Sequence, residues 1–223
     1  MKKLGILIFA RYNSKRLPGK VLKKIFLEKK LIEVIILRLK KFTNLNIVVC
    51  TSSSKKDDQI IKICKQLKIR FFRGNLKNVF DRTIKCLKKF KFDAFVRINA
   101  DRPFVDFHEV NKMVKIFKKN KFDIITNQLS KKCPKGLACE VARAEVFFSI
   151  TKKMSSSDKE HIFNFFYRNK KKYRIYNLDN KDYYKKRNMR LSVDTHKDLS
   201  KIKKIYKNLG SIYVPTKRIL KFI

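Results

Sequence analysis

The chain has 223 residues, with 58 Lys and Arg against 18 Asp and Glu and a formal net charge of +40 at pH 7. That length supplies one sizeable core without disulfides or a structural metal, so a single domain over residues 1–223 is expected. Apolar runs such as Leu4 to Ala10 and Leu31 to Leu37 fall far short of the roughly 20 residues a membrane span requires, which excludes a span. With no small-residue cleavage site after the first apolar run, no signal peptide is expected, and the reading is a cytoplasmic protein.

Five cysteines, Cys50, Cys64, Cys86, Cys133 and Cys139, form an odd set without a CxxC pair. They fit reduced thiols better than a disulfide framework or zinc site. The charge by itself would suggest a nucleic-acid partner, because clustered cations release counterions from phosphate backbones. Only 14 of the 58 basic residues are Arg, however, and the lysines run along the whole chain in company with Ile, Asn and Phe. A surface built for nucleic acid would be richer in the bidentate Arg fork, so none is expected as a partner.

Leu4 to Phe9 is an apolar run of strand length, repeated at Asn46 to Thr51, Ile69 to Phe72, Ala94 to Ile98 and Asp123 to Thr126. These read as buried parallel strands. Helical patterns lie between them at Leu31 to Leu39, Asp57 to Leu67 with an Asp cap, Val79 to Phe90 and Val110 to Phe117. Such alternation predicts an α/β, Rossmann-like, mostly parallel sheet with helices on both faces. Beyond Pro134 the pattern loosens. A strand is expected at Leu137 to Ala142, helices at Ala144 to Thr151 and Asp158 to Tyr167, a strand at Met189 to Val193 and a closing helix at Lys197 to Lys207. The polar stretch Leu178 to Asn188 reads as a mobile loop.

Three segments could carry chemistry. Ala10 to Lys20 places Arg11, Lys15, Arg16, Lys20 and Ser14 on one loop at the carboxyl end of the first strand, where open α/β sheets bind ligands. Arg forks and Lys ammonium groups there could neutralise a triphosphate, although a solvated basic loop would read the same way. Neither GxxxxGK[ST] nor GxGxxG is present, so a Walker loop and a dinucleotide fingerprint are excluded. The second segment, Val96 to Phe104, sets Asp101 just past a strand. Asp194 follows another apolar run at Arg190 to Val193. The two acids could share Mg²⁺ with phosphate oxygens, or each could cap a helix. The third, Asp158 to Ile162, pairs Glu160 with His161 at a helix start, and upstream Glu140 interrupts an apolar strand as an inward polar contact or an edge position.

Taken in order, these segments resemble the cytidylyltransferase family that activates sugar acids, most closely its spore coat polysaccharide biosynthesis protein F branch. The resemblance rests on Ala10 to Leu22, where Tyr12-Asn13 replaces the branch's Met-Gly. It continues through Cys50 to Ser52, Phe72 to Gly74, Val79 to Arg82, Arg97 to Pro103, Pro134 to Leu137, Glu160-His161 and Val193 to Thr195. It implies that Ala10, Arg11, Ser14, Arg16 and Lys20 bind the nucleotide and that Arg73 and Asn99 lie near cytosine. Arg82, Glu140, Glu160 and His161 would face the sugar. Asp101 and Asp194 would hold Mg²⁺, the implied cofactor. Acylneuraminate members carry an Asp two positions before the residue matching Asp194, where this chain has Ser192. The partners implied are CTP, a sugar or sugar acid, and a second copy of the chain in a homodimer.

The expected chemistry is attack of a sugar hydroxyl on the α-phosphate of CTP, with Arg11, Lys20 and Asp101 as catalytic residues. A glycosyltransferase of related architecture is the first alternative, although no DxD motif is evident. A non-catalytic basic protein binding polyanions is the second.

Overall fold

The computed structural model describes residues 3–130, 132–150 and 154–223. Its centre is β1 (Leu4–Phe9), flanked in parallel by β4 (Asn46–Ser52) and β6 (Ala94–Asn99). β4 carries β5 (Arg70–Gly74), also parallel. On the other side β8 (Glu140–Arg143) runs antiparallel between β6 and β7 (Ile124–Thr126), and β7 pairs in parallel with β9 (Ile175–Asn177). The resulting order is β5-β4-β1-β6-β8-β7-β9, with a separate hairpin of β2 (Lys24–Phe26) and β3 (Lys29–Lys30).

Side-chain alternation divides the core in two. Ile6, Ile8, Val49, Val96 and Ile98 pack beneath α1 (Leu31–Phe42), α2 (Asp58–Gln66), α4 (Phe107–Lys119), α9 (His196–Leu209) and α10 (Thr216–Phe222). Leu7, Val48, Cys50 and Phe95 face α3 (Val79–Phe90), α5 (Ala144–Phe148), α6 (Ser156–Glu160) and α7 (Asn164–Arg168). Both faces are thus covered, as the apolar strands require. On α1, the fully buried Arg38 donates to the carbonyls of Val214 (2.9 Å), Val105 (3.4 Å) and Ile212. It binds the segments at Val105 and at Ile212 to Val214 to α1 without a salt-bridged acid. None of the described helices is long and apolar enough to cross a membrane.

Several expectations change beyond residue 120. β7 has the predicted extent less one residue, but its β8 neighbour is antiparallel. The helix expected over Asp158 to Tyr167 is broken at His161, which adopts φ −107° and ψ 71°, so that Ile162 and Phe163 can turn into the core. Thr151, the expected end of the preceding helix, lies outside the described residues. Met189 to Val193 forms one parallel bridge, between Lys135 and Arg190, rather than a strand. Within the expected mobile loop lies α8 (Lys181–Tyr184), pinned because the buried Tyr183 hydroxyl donates to Asp106 at 2.8 Å. β9 and α10 carry no clear pattern in the sequence, and α10 follows the helix expected to close the chain.

Gly136 holds the Lys135–Arg190 crossing. Its φ is +109°, and a Cβ there would sit 2.5 Å from the Leu191 carbonyl carbon and 2.6 Å from the Ser192 nitrogen. Gly136→Ala therefore combines backbone strain with a clash against backbone that leads directly to Asp194. The expected loss is about 2 kcal/mol or more, read as a lowered urea midpoint.

Candidate active site

β1 and β6 end at a cleft of about 430 Å³. Its wall begins with the loop after β1. Ala10 N still donates to Cys50 O (3.1 Å), and then the chain turns tightly, with Ser14 N and Gly19 N both donating to Tyr12 O at 2.8 Å. Gly19 has φ +68° and lies against the Tyr12 ring, where a Cβ would come within 2.9 Å. The loop is anchored from below by Asp57, which is 1 % exposed. One Asp57 oxygen accepts from Tyr12 N (2.7 Å). The other accepts from Thr51 Oγ1 (2.8 Å), Ser52 N (2.9 Å) and the Ser52 hydroxyl. Read from the sequence as a helix cap, Asp57 occupies the N-cap position but turns its carboxylate toward the loop instead.

Lys20 carries the densest set of contacts. Its Nζ donates to Asp101 Oδ2 (2.8 Å), Asp194 Oδ1 (3.0 Å) and Val193 O (2.7 Å). Val193 N in turn donates to Asp101 O at 2.8 Å, which fixes the two acidic segments side by side. Arg16 reaches Asp194 at 2.8 Å, while Lys135 and Arg190 stand 3.8 Å and 3.7 Å from its other oxygen. Ser192 Oγ also donates to Asp194, at 3.4 Å. Burial would raise the Asp194 carboxyl, but the hydrogen bond and charge of Lys20, then Arg16 and Lys135, hold it below the usual carboxylate range. The capping alternative does not apply to either acid: Thr195 caps α9 in a capping box with Asp198, and Asp106 caps α4.

Arg11, at the start of the same loop, pairs with Glu160 at 2.8 Å, and its hydrogen bond lowers the Glu160 carboxyl. His161 lines the same wall. Arg82, 2 % exposed, donates to Asn75 O at 3.2 Å, and its Nε has no hydrogen-bond partner among the described residues. Burial therefore lowers its pKa from the ordinary arginine value. Arg97 enters from β6 with Nε and Nη2 donating to Glu140 at 2.9 and 2.7 Å, its guanidinium 5.1 Å from the Phe163 ring centre.

Of the residues singled out in the sequence, Ala10, Arg11, Ser14, Arg16, Lys20, Arg82, Asn99, Asp101, Glu160, His161 and Asp194 all line this one cleft. Two do not. Arg73, expected near a base, spends its guanidinium on Ser52 O (3.1 Å), Ser54 O (2.8 Å) and Asp58 (2.7 Å), propping the turn after β4. Glu140, expected near the sugar, is fully buried beneath Arg97 and also accepts from the Tyr167 hydroxyl at 3.2 Å. It has the inward polar contact its strand position suggested and no face on the cleft. Arg97 itself went unassigned, although an Arg in the run Phe95-Val96-Arg97-Ile98 is a charge on an apolar strand, the same signal that singled out Glu140. The described residues hold no cluster of three or more metal-ligating side chains.

Truncating Glu140 leaves Arg97 buried without its counter-charge. Glu140→Ala is expected to cost about 3–5 kcal/mol in urea unfolding, and Glu140→Gln, which keeps shape and one acceptor, distinctly less.

The cytidylyltransferase family profile matches residues 5–219. An uncharacterized protein of Methanocaldococcus jannaschii is 32% identical over 225 residues, spanning 100% of this chain and 90% of that one. The spore coat polysaccharide biosynthesis protein SpsF of Bacillus subtilis is 27% identical over 94% of this chain and 89% of its own length. A solved cytidylyltransferase structure from Leptospira borgpetersenii superposes with a TM-score of 0.94 at 27% identity, covering 100% of this chain and 94% of that one. With its sheet, its basic loop and its paired acids in one cleft, the chain belongs to the cytidylyltransferase family.

Proposed function

We propose that the chain transfers CMP from CTP to a sugar or sugar acid, releasing pyrophosphate, for the synthesis of a surface polysaccharide or other glycan. The observation that carries this reading is the convergence of Arg11, Arg16 and Lys20 with Asp101 and Asp194 at the carboxyl ends of β1 and β6. Triphosphate chemistry needs cations spaced along the phosphates and carboxylates beside them. Family membership supports nucleotidyl transfer, and the similarity to SpsF supports the glycan role.

On this reading Arg11, Lys15, Arg16 and Lys20 hold the phosphates and Ser14 donates to a phosphate oxygen. Asn99 and the backbone at Ala10 face the nucleoside. The acceptor lies along Arg82, Glu160 and His161, with Arg97 at its floor. Attack by its hydroxyl on the α-phosphorus forms a P–O bond as the bond to pyrophosphate breaks, and positioning with charge neutralisation supplies the acceleration. Magnesium fits the donor set: the oxygens of Asp101 and Asp194 already converge on one cation, and two carboxylates with phosphate oxygens are what this ion takes at phosphoryl-transfer sites. Bound there, it would withdraw charge from the phosphates.

The test is pyrophosphate release from each of the four nucleoside triphosphates with Mg²⁺ and a panel of nonulosonic and octulosonic acids. Release with CTP alone, dependent on one acceptor, is expected. Asp101→Ala should reduce it at least about 100-fold, the scale of losing one group that stabilises developing charge. Absence of CTP binding by calorimetry would overturn the reading, and turnover of a nucleotide sugar without pyrophosphate would replace it with glycosyl transfer.

A further inference from the structure

An ammonium group has three N–H donors, and each of those on Lys20 is filled, by Asp101, Asp194 and the Val193 carbonyl at 2.8, 3.0 and 2.7 Å. The side chain is only 10% exposed, and that of Asp194 only 8%. A solvated surface lysine would not be drawn into so complete a cage, since burying an ammonium is costly unless it is paired. The two carboxylates sit where they do partly because this cation joins them. Arg16, Lys135 and Arg190 add three further cations within 4 Å of Asp194. A divalent ion drawn to these two carboxylates would have to compete with a unit positive charge already in hydrogen-bond contact with both of them.

We infer that Lys20 is an internal stand-in for the metal: in the nucleotide-free protein its ammonium occupies the place between Asp101 and Asp194 and keeps divalent cations out. The inference rests on the proposed function for its second half. A triphosphate arriving in the cleft offers oxygens of higher charge density to Lys20 and Arg16. Lys20 has a four-carbon stem and strong preference for point anions, so it can swing to them. Its departure leaves the acids open as the nucleotide brings phosphate oxygens to complete the coordination. Metal affinity is then conditional on nucleotide, and by linkage nucleotide affinity rises with metal by the same factor. Lys20 is thus a positioning residue with two stations, and the order of loading follows from it.

The experiment titrates Mn²⁺ into the full chain, stripped of nucleotide and metal, and follows the electron paramagnetic resonance signal of free aqueous Mn²⁺. Wild type without nucleotide should leave the ion free at concentrations where Lys20→Met binds one equivalent, a gain of about ten-fold or more. Adding Asp194→Asn to Lys20→Met should abolish that gain, which a nonspecific site would not. Lys20→Gln provides a second neutral side chain, and circular dichroism confirms that each variant is folded. Equal Mn²⁺ affinity in wild type and both variants overturns the inference, as does tight binding of one Mn²⁺ by wild type alone. Should neither variant fold, wild-type titrations with and without CTP decide it: metal uptake independent of CTP overturns it, and uptake only with CTP supports it. A gain in Lys20→Met alongside no CTP binding by the wild type would sustain the stand-in role while removing the cytidylyl-transfer reading, so the two failures are distinguishable.

Discussion

Three distant stretches of chain meet on the Lys20 ammonium: the loop after β1, the end of β6 and the segment before α9. Sequence separations of 81 and 174 residues are closed there by hydrogen bonds to charged groups, which are shorter and stronger than neutral ones. The backbone bond from Val193 to Asp101 and the crossing at Gly136 serve the same junction. Without that cation the two carboxylates would repel across a few ångströms, and the segment carrying Asp194, which has no strand ladder of its own, would be held by its buried Leu191 and Val193 and by backbone bonds to Lys135 and Asp101.

The acids of the cleft are neutralised from within. Each cleft acid has a cation: Asp101 and Asp194 have Lys20, and Glu160 has Arg11. Cations outnumber acids, and Arg82 has no carboxylate partner among the described ion pairs. The surplus sits on rigid supports, with Arg97 clamped by Glu140 and Arg82 packed against Gly74. An anion entering therefore meets preorganised charge. The high lysine content of the remaining surface plays no part in this geometry.

Much of this was legible in the sequence. Strands without a polar residue, such as Leu4–Phe9, announce themselves because both faces are buried, and a basic loop after the first of them points to the sheet's carboxyl edge. What escaped was whatever depended on pairing across long separations. That β8 runs antiparallel cannot be seen in a four-residue run, and β9, with exposed Tyr176 at its centre, lacks the apolar signal of a core strand. Asp57 has a side chain equally suited to capping a helix or holding a loop, and only the position of Tyr12 decides between them. Glu140 stands out as an acid on an apolar strand and Arg73 only through the family resemblance, but their partners, the Arg97 and Tyr167 side chains for one and the Ser52 and Ser54 carbonyls with Asp58 for the other, lie on segments that no local pattern brings together.

The two ends of the cleft are built from different material. Lys20, Asp101 and the Ala10 backbone hang from the central sheet, where almost any change disturbs packing on both faces. Glu160 and His161 belong to a five-residue helix and the bend after it, held to the core chiefly by Ile162 and Phe163 and by the Arg168–Asp158 pair. A short segment of that kind tolerates exchange of its outward residues, because its anchors point the other way. Exchange at Glu160 or His161 would therefore disturb the packing of the sheet less than exchange at Lys20 or Asp101, a division of labour between a fixed floor and a replaceable wall.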